Sequence, residues 1–316
     1  MRYTLLVLCL AFSANLMGQQ ENQYTQFMFN KLVLNPAYAG VRNLPSVTAL
    51  YRSQWMGFNG RPESKQASFD VPIVYDRAGF GLSLVNNSHG VFDNWYGSMA
   101  YSYKLKLGDL SNLSIGLSGT IRYLELDFTD PTVRIRDVDD PSIPDNVNTE
   151  KFDQWKGNFG LGAYFTYDHF YVGLSVPNFF ENEIGINTSL NQTAEELRHY
   201  YVMSGAMFPL SSTLHLRPSF LLKYVQNAPV DIDLGLSLVF NLRFHAGLAF
   251  RAGGDGSGDS IDLLAFYQAS DQVGIGAAYD YTLSDIRDHS NGSLEVLLRI
   301  DLKKQRANLA NPRFFE

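Results

Sequence analysis

Trp95-Tyr96-Gly97-Ser98-Met99-Ala100-Tyr101-Ser102-Tyr103-Lys104-Leu105-Lys106-Leu107 is the stretch that decides the fold. Its odd positions, Trp95, Gly97, Met99, Tyr101, Tyr103, Leu105 and Leu107, are mostly greasy. Its even positions, Tyr96, Ser98, Ala100, Ser102, Lys104 and Lys106, are mostly small or polar. Side chains alternate across a strand, so this stretch is a strand with one apolar face. The pattern recurs. Leu113, Ile115, Leu117, Gly119, Ile121 and Tyr123 oppose Asn112, Ser114, Gly116, Ser118, Thr120 and Arg122. Leu214, Leu216, Phe220, Leu222 and Tyr224 oppose His215, Arg217, Ser219 and Lys223. Val230, Ile232, Leu234, Leu236, Leu238 and Phe240 oppose Asp231, Asp233, Gly235 and Ser237.

About fourteen such segments are expected, with cores at 46–54, 64–71, 78–86, 94–107, 112–126, 157–167, 169–176, 199–208, 213–225, 230–240, 242–251, 260–269, 272–281 and 293–302. The connectors between them alternate in length. Long ones cover 86–94, 127–156, 177–198, 253–259 and 282–292; short ones cover 108–111, 168, 210–212, 241 and 270–271. Short turns on one side and long loops on the other are the mark of an outer-membrane barrel. A soluble sandwich or propeller has no reason to sort its connectors so. Trp95, Tyr96, Trp155, Tyr200, Tyr201 and Tyr281, near strand ends, are read as aromatic girdles.

Composition agrees. Of 316 residues, 45% are hydrophobic and 18% charged, which excludes a disordered chain. An excess of 32 acidic over 25 basic residues argues against a nucleic-acid binder. Mean hydropathy of −0.13 looks soluble, but a barrel hides its apolar face in every second residue. After the first segment no run reaches the ~18 continuous apolar residues of a membrane helix.

Met1-Arg2 followed by the mostly apolar run to Leu16 reads as a secretory signal peptide, residues 1–18, cut after Gly18. The run is too short for a membrane anchor. Leu8 before Cys9 does not fit a lipoprotein signal. Cleavage removes the one cysteine and leaves no thiol or disulfide chemistry. With an even strand count both ends of the barrel, residues 46–302, lie in the periplasm. Outside it stand an N-terminal periplasmic or plug segment, 19–45, and a C-terminal periplasmic tail, 303–316.

The N-terminal segment reads Tyr24-Thr25-Gln26-Phe27-Met28-Phe29-Asn30 and Asn35-Pro36-Ala37-Tyr38-Ala39-Gly40. Its large apolar side chains need burial in the lumen, at the barrel mouth or on a partner. Tyr51-Arg52-Ser53-Gln54-Trp55, Phe58-Asn59-Gly60-Arg61-Pro62, Val71-Pro72, the turn at 86–90 and the ending Pro312-Arg313-Phe314-Phe315 complete the set. Together these motifs, over essentially the whole mature chain, resemble the PorP/SprF family of outer-membrane proteins of the type IX secretion and gliding systems. Asn87, where the family usually has an acidic residue, and the terminal Glu316 depart from the pattern. The resemblance implies an accessory docking scaffold in the bacterial outer membrane, needed for secretion or surface attachment of cargo. Its partners would be outer-membrane lipid, type IX machinery components and a secreted surface protein or adhesin. The motifs at Tyr24–Gly40, Tyr51–Trp55 and Pro312–Phe315 would be the plug or partner-contact residues. Arg52 and Arg61 are expected in the lumen against acids such as Asp70, Asp231 or Asp233.

Little else points to chemistry. His89, His169, His199, His215, His245 and His289 show no metal-ligand spacing, and His-Glu-x-x-His is absent. His215 and His245 fall on the polar strand faces, as lumen residues. Gly253-Gly254-Asp255-Gly256-Ser257-Gly258-Asp259 lacks the Gly-Lys-Ser/Thr of a phosphate loop and the ligand spacing of a calcium loop, and reads as a hairpin tip. The acidic loop with Asp127, Asp130, Asp137, Asp139, Asp140, Asp145, Glu150 and Asp153 is the first candidate for an external contact, the 177–198 loop the second. No enzyme, cofactor, metal, nucleic acid or small-molecule substrate is expected. A passive porin and a barrel-borne hydrolase are the alternatives.

Overall fold

A computed structural model describes residues 23–73, 77–127, 151–187, 192–253 and 259–302. The expected signal segment 1–18 and the tail with Pro312, Arg313, Phe314 and Phe315 lie outside the described residues. The first strands are β1 (Ser46–Ser53), β2 (Glu63–Ile73), β3 (Ala78–His89), β4 (Phe92–Lys106), β5 (Ser111–Asp127), β6 (Lys151–Tyr167) and β7 (Phe170–Val176). A small hairpin follows, β8 (Asn182–Asn187) with β9 (Gln192–Glu196). The ring resumes with β10 (His199–Ala206), the two-residue β11 (Phe208–Pro209), β12 (Leu214–Val225) and β13 (Asp231–Phe240). It ends with β14 (Phe244–Ala252), β15 (Ser260–Gln268), β16 (Val273–Thr282) and β17 (Ser293–Asp301).

Every barrel pairing is antiparallel between neighbours, and two pairings close the ring. β10 joins β12, with His199 opposite Val225, and β1 joins β17, with Ser46 opposite Asp301. Leaving aside β8, β9 and the β11 extension, fourteen strands among the described residues form a closed antiparallel barrel. Closure pairs the backbone N–H and C=O groups with neighbours, which is what hydrocarbon demands.

The alternation becomes an inside and an outside. Met99, Leu117, Ile121, Leu236, Leu248 and Leu263 are exposed outward, while Ser102, Ser114, Ser219, Asp233, Arg251 and Asp280 are buried inward. An apolar outer belt exposed all round the ring is the surface a bilayer covers. Leu236, mid-strand and 52% exposed, tests it. Leu236→Lys should cost about 2–4 kcal/mol, as for a charge on the lipid face near the midplane, and should lower the temperature at which the folded gel band disappears.

Four expectations need correction. The stretch 86–94 is no long loop: β3 runs to His89, β4 starts at Phe92, and Gly90-Val91 makes a tight turn. The reason is that at this end the outward face carries polar residues such as Asp93 and Glu125 while Leu124 and Leu126 pack inward with Val91, Phe92 and Phe152, so the apolar-out alternation is lost while the ladder continues. In the same way Asp127, Lys151, Asp153, Trp155 and Lys156 stand on β5 and β6; the rest of the acidic loop, 128–150, lies outside the described residues. The loop 177–198 carries the β8–β9 hairpin. Of the girdle candidates, Trp95, Trp155, Tyr200 and Tyr281 face outward, but Tyr201 is buried inside and Tyr96 lines an interior cavity, because each shares the parity of inward residues.

Candidate functional site

Residues 23–44 occupy the lumen. Phe27–Phe29, Lys31–Val33 and Pro36–Tyr38 form three single 3-10 turns, and nearly every residue from Gln23 to Arg42 is buried. Pieces this short have little stability of their own; the wall holds them. Burying Phe27, Met28, Phe29, Leu32 or Leu34 contributes about 1.5–3 kcal/mol each.

The first anchor is ionic and sits toward the long-loop end. Thr25 and Gln26 donate backbone N–H bonds to the Glu295 carboxylate at 3.0 and 2.8 Å. The Thr25 hydroxyl donates to Asp280 at 2.8 Å and accepts from Arg52 at 3.2 Å and Arg251 at 3.3 Å. Arg52 pairs with Asp280 at 2.6 Å and Glu295 at 3.3 Å. Arg251 reaches Asp233 at 2.6 Å, Asp280 at 3.3 Å and Asp262 at 3.6 Å, and Lys223 joins Asp233 at 3.1 Å. Four carboxylates thus face three cations, and the plug's own N–H and hydroxyl donors help hold the surplus negative charge.

The second anchor is aromatic. Lys31 donates to the Tyr164 hydroxyl at 2.9 Å and its ammonium lies 3.7 Å from the Tyr171 ring centroid, with the Tyr38 ring at 5.2 Å. Phe29 stacks on Phe266 with centroids 4.4 Å apart. Asn30 donates to Gln66 and accepts from Ser68, both at 2.9 Å.

The Asn35-Pro36-Ala37 motif has a local reason. The Asn35 side chain caps the third turn by accepting the Ala37 N–H at 2.9 Å, and Pro36 presets the first helical position. The Asn35 amide also donates to the carbonyls of Ala163 at 3.1 Å and Leu174 at 3.2 Å. Ser175 donates to the Leu34 carbonyl at 2.6 Å. Gly40, at φ +70°, turns the chain where its Cα faces Gly79; any Cβ there would strike the Gly79 backbone. Arg42 then pairs with Asp301 at 3.0 Å, and the chain enters β1. Plug contacts reach β2, β6, β7, β15, β16 and β17, on all sides of the ring.

Tyr24, Gln26, Phe27, Met28, Phe29, Asn30, Asn35, Pro36, Ala37, Tyr38 and Gly40 therefore all lie in the lumen. Tyr51 faces outward, and Arg52 points in. Gln54 and Trp55 begin the first outer loop, where Trp55 N–H donates to the Ser293 hydroxyl at 3.2 Å. Arg52 meets Asp280 and Glu295 rather than Asp70, Asp231 or Asp233, because the β1–β17 seam, invisible to local sequence, sets its neighbours. Arg61 is half-exposed and pairs with Glu63 at 3.1 Å. His245 is buried beside Phe29, while His169 pairs with Asp168 at a turn and His89 stacks on Phe92 at a hairpin tip. Arg251, Asp262, Asp280 and Glu295 were not singled out by sequence, and Thr25 and Lys31 were marked only as members of the Tyr24–Gly40 stretch. The available signal was charge at inward parity on the last four strands.

An N-terminal segment threaded inside a fourteen-stranded outer-membrane barrel can be set against known proteins. A family model described as type IX secretion system membrane protein PorP/SprF matches residues 16–300. The chain belongs to the PorP/SprF family. It is thus a type IX secretion system protein of the bacterial outer membrane. One solved structure carries the same barrel fold, and two more are similar to a lesser degree. A Pseudomonas aeruginosa FadL homologue is 13% identical, with 90% of this chain and 96% of that one covered and a TM-score of 0.50. The CymD monoaromatic hydrocarbon channel is 12% identical, covering 90% and 93%, at a TM-score of 0.48. Acinetobacter baumannii Omp33 is 8% identical, covering 81% and 96%, at 0.43. Identities this low speak for the barrel alone. No curated protein matches the sequence. For this PorP/SprF protein the family points to the secretion machinery rather than to a class of enzymes.

Proposed function

We propose that the protein is a closed, non-catalytic docking scaffold of the type IX system rather than a pore. Its short-turn end faces the periplasm and meets machinery components. Its long-loop end faces the medium and meets a secreted surface protein or adhesin. The observation that carries this reading is the lumen filled by residues 23–44 and tied to the wall on all sides. A passive porin needs that space empty. Support for the outer contact comes from the tall hairpins: β4, β5 and β6 run 15 to 17 residues, against 8 to 10 for β1 and β13–β17. With 9–11 residues enough to span the bilayer, the excess stands outside it.

Affinity capture of the tagged protein from native membranes tests this. Periplasmic machinery components and a secreted surface protein should both be recovered. A variant lacking residues 182–196, the β8–β9 hairpin, should keep the machinery and lose the surface protein. Recovery of neither class from the intact protein would overturn the reading.

A further inference from the structure

Toward the short-turn end, three basic side chains gather around the plug residue Phe29. Arg217 stands near the start of β12, His245 near the start of β14 and Arg299 near the end of β17. The Arg217 guanidinium lies 5.0 Å from the Phe29 ring centroid and the Arg299 guanidinium 5.8 Å. Arg299 is also 4.8 Å from the Phe266 centroid. Arg217 Nη1 is 3.5 Å from His245 Nδ1. A guanidinium can only donate, so Nδ1 accepts and the imidazole is neutral with its proton on Nε2. Arg217 and Arg299 are each 4% exposed.

Their surroundings differ from those of the other buried arginines. Arg42, Arg52 and Arg251 each hold a carboxylate within 3.0 Å. Among the described residues neither Arg217 nor Arg299 has a carboxylate oxygen within 4 Å. Among the described residues Arg299 donates to Gln268 alone, at 3.3 Å, and its Nε has no hydrogen-bond partner. The nearest acid along its own strand, Asp301, is engaged with Arg42. Contact with an aromatic face contributes about 0.5–2 kcal/mol per cation. Taking an ion out of water costs several kcal/mol. The rings therefore do not balance two buried like charges; an anion would.

We propose that Arg217, Arg299 and His245 form a binding site for a small oxyanion, phosphate or carboxylate, at the short-turn end of the lumen. Two planar guanidinium forks suit the two or three oxygens of such a group, and they are permanently charged. The anion would lie against Phe29 and lock the base of the plug.

The test uses the full-length protein purified from membranes in detergent. Its thermal transition is followed against inorganic phosphate, succinate and chloride at constant ionic strength, and anions released on denaturation are measured by ion chromatography. Expected is either a saturable rise in transition temperature with phosphate or succinate but not chloride, or about one anion released per barrel. Which of the two anions acts identifies the source. Arg217→Gln/Arg299→Gln should lose the saturable rise and the released anion, whereas Arg61→Gln, on the outer rim, should keep both. Should the double variant not fold, Arg299→Lys retains the charge without the fork and should bind at least tenfold more weakly. No saturable rise and no released anion from the wild type, or an undiminished effect in Arg299→Lys and the double variant, would overturn the proposal.

Discussion

Deleting residues 23–44 is expected to turn a silent barrel into a conducting one. Eight strands leave room only for side chains or one small ligand, and sixteen to eighteen leave an aqueous channel. Fourteen falls toward the channel end, and here the space is taken by the three 3-10 turns and their side chains. Once they are gone, the inward Ser68, Ser102, Ser114 and Ser175, with the buried ion pairs, would line a wet, polar bore. In planar bilayers the intact protein should give no channel steps and the deletion variant stable ones. The folded gel band of the variant, lost on boiling, shows that the barrel survived. A folded variant that stays silent, or an intact protein that conducts, would remove the basis for a closed scaffold.

The second large effect is energetic. Arg251→Met leaves Asp233, Asp262 and Asp280 without their shared cation, and Thr25 without one of its donors. Breaking a buried pair by removing one partner costs about 3–5 kcal/mol, since the remaining charge is stranded. The folded-to-unfolded transition in urea should shift by that amount. Adding Asp262→Asn should return part of it, because Asp233 keeps Lys223 and Asp280 keeps Arg52, whereas among the described residues Asp262 pairs with Arg251 alone. A loss below about 1 kcal/mol would mean the cluster is solvated like a surface pair and does not anchor the plug.

The sequence carried the barrel well, for a physical reason. Lipid on one side and a polar interior on the other force period-two patterning on every spanning segment, and each of the fourteen cores overlaps a strand of the ring, running past it by a residue or two at some ends. Where the constraint lapses, so does the signal. At the tops of β3 to β6 the apolar-out pattern lapses, with Leu124 and Leu126 packed inward on Val91, Phe92 and Phe152, so Ser88, His89, Phe92 and Asp93 look like a loop yet pair in register. The plug was legible only as a need for burial. Phe27, Met28 and Phe29 had to go somewhere, but the plug's wall partners, Glu295 and Asp280 for Thr25 and Gln26 and Phe266 for Phe29, are more than two hundred residues away. Tyr96 and Tyr201 show a finer limit: aromatic identity suggested a girdle, and parity, which decides, places them inside.

The bond from Thr25 to Glu295 spans 270 positions, so the start of the described chain is secured by the last strand. Bringing such distant parts together is entropically slow work, done after the local hairpins between them have formed. The seam between β1 and β17 is also where the two ends of the sheet meet. Whichever assembly route the cell uses, the leading peptide must already be in place, or be drawn in, when that seam zips. Maturation then has a built-in checkpoint: a chain truncated before its final strand can neither shut its wall nor seat its own beginning.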